Sequence, residues 1–239
     1  MLPSPRALLL DFGGVIVDSP RDFADEVMPG LVREVHRLIK GTLTEDEILA
    51  ELRRADKLRD ELRDNSEEYP ELSHARLWGE LVADLWPEDA REAVLARAAE
   101  LSFRWTYRPS WRVVPGMADL LDYTLGRGLP VAVVSNTMCG QAHREALDNL
   151  GLAGAFAAQI YSDEIGVRKP HPEMIRAAAR DLDVPVSACW MVGDQVSKDI
   201  ECARRAGAAG AILMAPEPDP AADWTVLDGH RLLALLSSS

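Results

Sequence analysis

The sequence predicts an α/β fold, a doubly wound parallel sheet with helices on both faces and a helical unit inserted near its start. Three observations predict it. Five short apolar runs have strand length: Ala7–Leu10, Pro130–Ser135, a stretch around Ala157–Ser162, Ala188–Val192 and Gly210–Met214. Runs of this kind, apolar throughout rather than alternating, are what strands covered on both faces look like. Amphipathic stretches near 116–126, 139–150, 172–182 and 198–206 alternate with them, as helices do between parallel strands. Roughly 120 residues separate the first run from the second, far more than a crossover needs, and most of that interval reads as helical.

Taken in order, Ala7–Leu10 ends in the turn Asp11-Phe-Gly-Gly14. The insertion follows. Pro20–Gly41 is expected to be helical, with Pro29-Gly30 as its break. Thr44-Glu-Asp-Glu47 is a capping box that opens a long charged helix. Pro87-Glu-Asp-Ala starts another helix, with acids at its positive end. Trp78 and Trp86 are expected to pack the core of this unit, and His36 to face solvent. The segment Phe103–Arg112 brings the chain back with four aromatics and three arginines. It reads as a packed hinge with arginines over aromatic faces, or as an arginine anion clamp beside the site. Beyond it, Gly128 and Gly151 sit where C-terminal helix caps fall. Pro216–Pro220 reads as a stiff loop before a last helix near 228–236. The expected division is residues 1–18 and 113–239 as the α/β core and 19–112 as the helical unit. An insertion at the first strand-to-helix turn would cover the place where doubly wound folds bind ligands.

Composition narrows the function. The 239 residues carry 26 Lys+Arg against 39 Asp+Glu, a net charge of −13, with 47% hydrophobic residues. A nucleic-acid binder needs a basic face, and the acids here are spread through both the insertion and the core. A small anionic substrate would need locally concentrated positive charge. Only Lys40, Lys57, Lys169 and Lys198 are lysines, so a lysine inside a motif stands out. Cys139, Cys189 and Cys202 show no CxxC spacing; they read as small buried thiols rather than disulfide or zinc ligands. The one apolar run near the N-terminus is stopped by Asp11, too short for a signal peptide or a membrane span. A reducing, cytoplasmic setting is expected.

Four polar signals follow predicted strands at their C-terminal ends: Asp11-Phe-Gly-Gly, Ser135-Asn136, Arg168-Lys169-Pro170, and Gly193-Asp194 continuing to Asp199. In an open parallel sheet these ends face one crevice, so the residues converge. Clustered carboxylates suit Mg²⁺, which keeps substrate oxygens in its shell. A lysine and a hydroxyl would hold the remaining oxygens of a phosphate, and a carboxylate can attack phosphorus. Arg168 reads equally as a phosphate contact or a surface residue, and Lys198 as a solvated helix residue.

The ordered set, with the large insertion between its first two members, resembles the haloacid dehalogenase-like hydrolase superfamily over essentially the whole chain, and the insertion resembles its helical cap. The resemblance implies a Rossmann-like sheet of strand order 5-4-1-2-3 and magnesium-dependent phosphoryl transfer from a small phosphorylated metabolite; a monomer or homodimer is expected. It implies Asp11 as nucleophile and metal ligand, the Gly13 carbonyl, Asp194 and Asp199 as the rest of the metal site, Ser135 and Asn136 as phosphate ligands, and Lys169 as the charge-neutralising lysine. Gly13 and Gly14 are expected to let the backbone approach closely.

The sequence departs from the family pattern at Gly13, where its phosphatases usually carry a second aspartate that serves as general acid and base. Three readings follow. Another group substitutes; the substrate has a leaving group that needs little protonation, such as a sugar anomeric or acyl phosphate; or the protein binds a phosphate compound and turns it over poorly. Dehalogenases of this family place tyrosine here and lack the intact Gly-Asp…Asp motif. Phosphonatases need a cap lysine in a Met-Gly-x-x-Lys setting that neither Lys40 nor Lys57 has.

Overall fold

The computed structural model describes residues 3–20, 23–64, 66 and 68–238. In chain order its strands are β1 (Ala7–Leu10), β2 (Val17–Asp18), β3 (Arg112–Val113), β4 (Val131–Ser135), β5 (Ala158–Tyr161), β6 (Cys189–Gly193), β7 (Gly210–Met214) and β8 (Trp224–Val226). Six of them form one parallel sheet in the order β5-β4-β1-β6-β7-β8. The five expected strands thus lie in the expected order. β8 is an unforeseen sixth strand, added in parallel beyond β7 in a stretch the sequence reading left as loop.

The continuous apolar runs follow from two covered faces. Successive strand side chains point to opposite sides. Leu8, Leu10, Val131, Val133, Trp190, Val192 and Ile212 share one buried cluster with Met117, Leu120 and Leu232 of the helices on that side. Ala7, Leu9, Ala132, Val134, Met191, Ala211 and Leu213 share another with Met174, Ile175 and Ala203. At the sheet's C-terminal edge, strand-end residues meet a cavity.

Residues 27–105 bury a third cluster, including Leu31, Val35, Ile48, Leu52, Trp78, Leu101 and Trp105. Trp78 and Trp86 are both buried in it, and the Trp78 indole donates to Ser102 Oγ at 3.0 Å. Thr44 and Glu47 form the expected reciprocal cap: Glu47 Oε2 accepts from Thr44 N at 2.8 Å, and Glu47 N donates to Thr44 Oγ1 at 3.3 Å. Pro29-Gly30 does not break its helix. The helix runs Met28–Leu38 with the proline in its first turn, where the missing N–H has no intrahelical partner to lose; the interruption falls at Val27 instead.

Backbone pairing ties this helical unit to the sheet at two places. β2 and β3, the strands at which the chain leaves and re-enters, pair antiparallel, Val17 with Val113 and Asp18 with Arg112. Further along, Pro70 bridges Val167, Glu71 N donates to Gly166 O at 2.9 Å, and Arg168 N donates to Tyr69 O at 3.0 Å. The second contact grips the loop that carries Lys169.

Candidate active site

Asp11 lies one residue past β1, Ser135 ends β4, and Gly193 ends β6 just before Asp194, so parallel pairing alone brings them to one rim. Lys169 reaches the same rim from the loop after β5. Its ammonium is buried and donates to Asp11 Oδ1 at 2.6 Å and to the Val134 carbonyl at 2.8 Å. It also lies 2.6 Å from Asp199 Oδ1, off the hydrogen-bond direction, as an ion pair. Carboxylate oxygens of Asp11, Asp194 and Asp199 fall within 4.8 Å of one another. A cavity of about 320 Å³ opens over them, with Ser135 and Asn136 in its wall.

Asp199 gets there through a wide turn. Residues Val196–Ile200 form a π-helical turn before the helix Glu201–Ala206. The turn swings the Asp199 side chain back, where its Oδ2 accepts from Gln195 N at 3.0 Å. Gly193 makes room: a Cβ there would lie 2.1 Å from Asp199 Cβ. Gly14 is equally constrained, with φ +74° and a would-be Cβ 2.5 Å from Asp194 Oδ2. Gly13 is not. Nothing lies within 4 Å of a Cβ at that position, so neither space nor backbone requires glycine there, contrary to the expectation of close approach at both.

Three carboxylates and one ammonium leave the site short of positive charge. Burial pushes the Asp11 carboxyl up to about 7; Lys169 pulls it down, and Asp199 and Asp194 push it up again. Burial, then Asp199, also raises Asp194. Burial pulls Lys169 down, but Asp11 and Asp199 more than offset that, so it is held above its ordinary value. Asp194 Oδ1 and Asp199 Oδ1 are buried with no hydrogen-bond donor. Carboxylate oxygens crowded in this way, two of them without a hydrogen-bond donor, fit a hard divalent cation with oxygen ligands.

Asn136 stands in the cavity wall and has a structural task as well. Its amide is engaged on the Lys169 backbone, accepting from Lys169 N at 2.7 Å and donating to Lys169 O at 3.0 Å. It fixes the backbone of the lysine. Arg168 is buried without lining the cavity, which matches neither of its readings. Lys198, expected to be solvated, stands at the cavity wall.

The sequence reading missed His143 and with it the aromatic wall that the hinge segment completes. His143 stacks on Phe12 with centroids 3.9 Å apart, and Trp111 meets both edge-on at 5.4 and 5.1 Å. His143, Phe12, Trp111 and Arg108 all line the cavity. The segment Phe103–Arg112 is therefore a packed hinge and a piece of the site at once. Burial pulls the His143 imidazole down to about 3, so it stands neutral.

Residues 5–207 match the haloacid dehalogenase-like hydrolase family. The chain belongs to that family. It is thus an enzyme of the hydrolase class. Among its relatives, the hydrolase is 30% identical over 203 residues to a glyceraldehyde 3-phosphate phosphatase of Methanopyrus kandleri, covering 84% of this chain and 81% of the other. It is 36% identical over 121 residues to a phosphoserine phosphatase of Thermus thermophilus, a match spanning 51% of this chain and only 45% of that relative's length. Its fold is similar to a 2-haloacid dehalogenase of Pseudomonas syringae, with TM-score 0.67 at 20% identity over 97% of this chain and 98% of that one. Among the described residues, no helix is long and apolar enough to cross a membrane.

Proposed function

We propose that this hydrolase is a phosphatase acting on a small phosphorylated metabolite, with Asp11 as nucleophile. The observation that carries the reading is the Lys169 ammonium set 2.6 Å from both Asp11 and Asp199 at the floor of a cavity whose wall includes Ser135. The pairing holds Asp11 Oδ1, so the other oxygen of that carboxylate is the one that attacks phosphorus. The bond to the leaving oxygen breaks as the Asp11–phosphorus bond forms, and water then hydrolyses the aspartyl phosphate. Lys169 and the Ser135 hydroxyl face the transferring group and stabilise charge on its oxygens. Asp11, Asp194 and the Gly13 carbonyl would hold Mg²⁺, with Asp199 beside them. When bound, the cation supplies electrostatic stabilisation of the phosphoryl oxygens and restores ionisation of Asp11. Residues 19–112 act as a cap over the core formed by 1–18 and 113–239, and Arg108 and Trp111 bring cap-side chemistry to the leaving group.

The phosphatase names of two relatives support this reading, and the net charge of −13 speaks against nucleic acid as substrate. The dehalogenase likeness is one of fold; the intact acid set and Gly13 speak against that chemistry. Lys40 and Lys57 are outside the cavity, which speaks against a phosphonatase Schiff base. A cytoplasmic monomer or homodimer fits the chain. The test is hydrolysis of a panel of phosphomonoesters. Mg²⁺-dependent phosphate release, abolished by EDTA and by Asp11→Asn, is expected; release that survives both overturns the reading.

Gly13 favours one second reading, binding of a phosphorylated ligand with poor turnover. General acid–base assistance is worth about 10²–10⁴-fold, and the open space at Gly13 admits the missing carboxylate. A large rate gain in Gly13→Asp would show that its absence limits turnover. An aspartyl phosphate trapped on the unaltered protein would reject the second reading.

A further inference from the structure

A second convergence of ligating atoms lies at the seam between the helical unit and the sheet, separate from the aspartate cluster. His74 starts the short helix His74–Arg76 of the insertion, Cys139 precedes the helix Gly140–Asn149, and Asp163 sits in the turn after β5. Far apart in sequence, their nitrogen, sulfur and oxygen atoms fall within 4.8 Å of one another. His74 Nε2 lies 3.7 Å from Asp163 Oδ2 and 2.9 Å from the Met138 carbonyl. Asp163 is well buried, at 7% side-chain exposure. Its Oδ2 accepts from Gly140 N, and its Oδ1 is buried with no hydrogen-bond donor. One carboxylate oxygen at this seam is therefore left without a partner, beside an imidazole and a thiol.

We propose that His74, Cys139 and Asp163 form a transition-metal site of the zinc type that ties the helical unit to the sheet. The donor set is the argument. Imidazole, thiolate and carboxylate together suit Zn²⁺, whereas the all-oxygen aspartate cluster suits a harder ion. Tetrahedral bonds of about 2.0–2.3 Å put ligand atoms ~3.3–3.8 Å apart. The 3.7 Å His74–Asp163 separation already meets this, and the 4.8 Å spread closes by about 1 Å. His74 is held protonated beside Asp163, its pKa raised to about 10; on binding, the imidazolium loses its Nε2 proton and keeps the one on Nδ1, Cys139 loses its thiol proton, and His74 gives up its contact with the Met138 carbonyl. His74 is partly exposed, which leaves an entry path and room for water as a fourth ligand. Because His74 belongs to the insertion and the other two to the core, an occupied site holds the unit down at a point distant in sequence from the β2–β3 ribbon.

The test is spectroscopic and independent of turnover, so its failure leaves the phosphatase reading standing. Metal-stripped protein in excess Mg²⁺ is titrated with Co²⁺. One equivalent is expected to give a thiolate-to-cobalt charge-transfer band and tetrahedral visible bands, both lost on adding Zn²⁺. Cys139→Ser should lose the charge-transfer band, and His74→Gln should weaken Co²⁺ binding by at least about tenfold. Absence of the band in the unaltered protein overturns the proposal, as does its persistence in Cys139→Ser, where Cys189 or Cys202 would be the sulfur. Should Cys139→Ser not fold, His74→Gln decides alone, and unchanged Co²⁺ affinity overturns the site.

Discussion

Gly13 and Gly14 are neighbours of one residue type, yet different physics holds each. Gly14 has positive φ and abuts the Asp194 carboxylate, whereas Gly13 faces open space. Gly14→Ala is expected to cost about 1–3 kcal/mol in strain and crowding and to weaken divalent-cation binding. Gly13→Ala should stay within about 0.5 kcal/mol of the unaltered protein. Denaturant unfolding with and without Mg²⁺ measures both, and equal costs would contradict the assignment. His143 offers a pH test. Its folded pKa of about 3 lies below the ordinary 6.5. Between these values the unfolded chain binds a proton that the folded protein refuses, so stability rises with pH across that window. The contribution is fully present above about 6.5 and is lost as pH falls toward 3. His143→Phe, which keeps a ring against Phe12, should flatten the fall in stability between pH 6 and 4. An unchanged slope would show that His143 is not the group responsible.

At the scale of elements, what could be read from the sequence followed from local rules. β1, β4, β6 and β7 are apolar from end to end because both faces are covered, and that pattern needs no partner to be seen. Asp11, Ser135 and Asp194 were legible because strand ends in a parallel sheet share a rim. β8 was not, because three residues with Trp224 half exposed carry no periodicity. β2 and β3 are two residues each and find one another across the whole insertion. His143 escaped because ring packing decides which way it faces; within Phe103–Arg112, read as hinge or clamp, the same packing selects Trp111 and Arg108 for the cavity. Asn136 was placed correctly, but its work on the Lys169 backbone depends on a contact 33 residues away. The π-helical turn at Val196–Ile200 lies between these cases: the Asp194…Asp199 spacing hinted at it, and Gly193 makes it possible. Gly193→Ala would drive a methyl into Asp199. Mg²⁺ affinity should fall about 10–100-fold with the fold retained, as titration of Mg²⁺-dependent activity and circular dichroism would show. Unchanged Mg²⁺ dependence would remove Asp199 from the cation's surroundings.

At the scale of the molecule, the helical unit and the sheet bury separate clusters, and polar contacts join the hinge packing of Trp111 on Phe12 in setting their relative placement. Glu71 is central to them. It is buried, and its carboxylate accepts from Ser162 Oγ at 2.7 Å, while Ser162 Oγ accepts from Thr137 N at 2.9 Å. The chain Glu71–Ser162–Thr137 thus runs from the insertion to the residue that follows Asn136, which in turn holds Lys169. Removing the carboxylate leaves the Ser162 hydroxyl only the longer contact with the Thr137 carbonyl, at 3.1 Å, and loosens the backbone pairing of 69–71 with 166–168. In Glu71→Ala, hydrogen exchange at the Glu71-position and Arg168 amides should quicken by about tenfold or more, while β1 and β6 amides keep their protection. KM should rise more than kcat falls, because loosening the unit weakens enclosure of substrate without moving Asp11. Uniform acceleration across the sheet would mean that Glu71 serves global stability. No acceleration at Arg168 would mean that the β2–β3 ribbon alone sets how the unit sits.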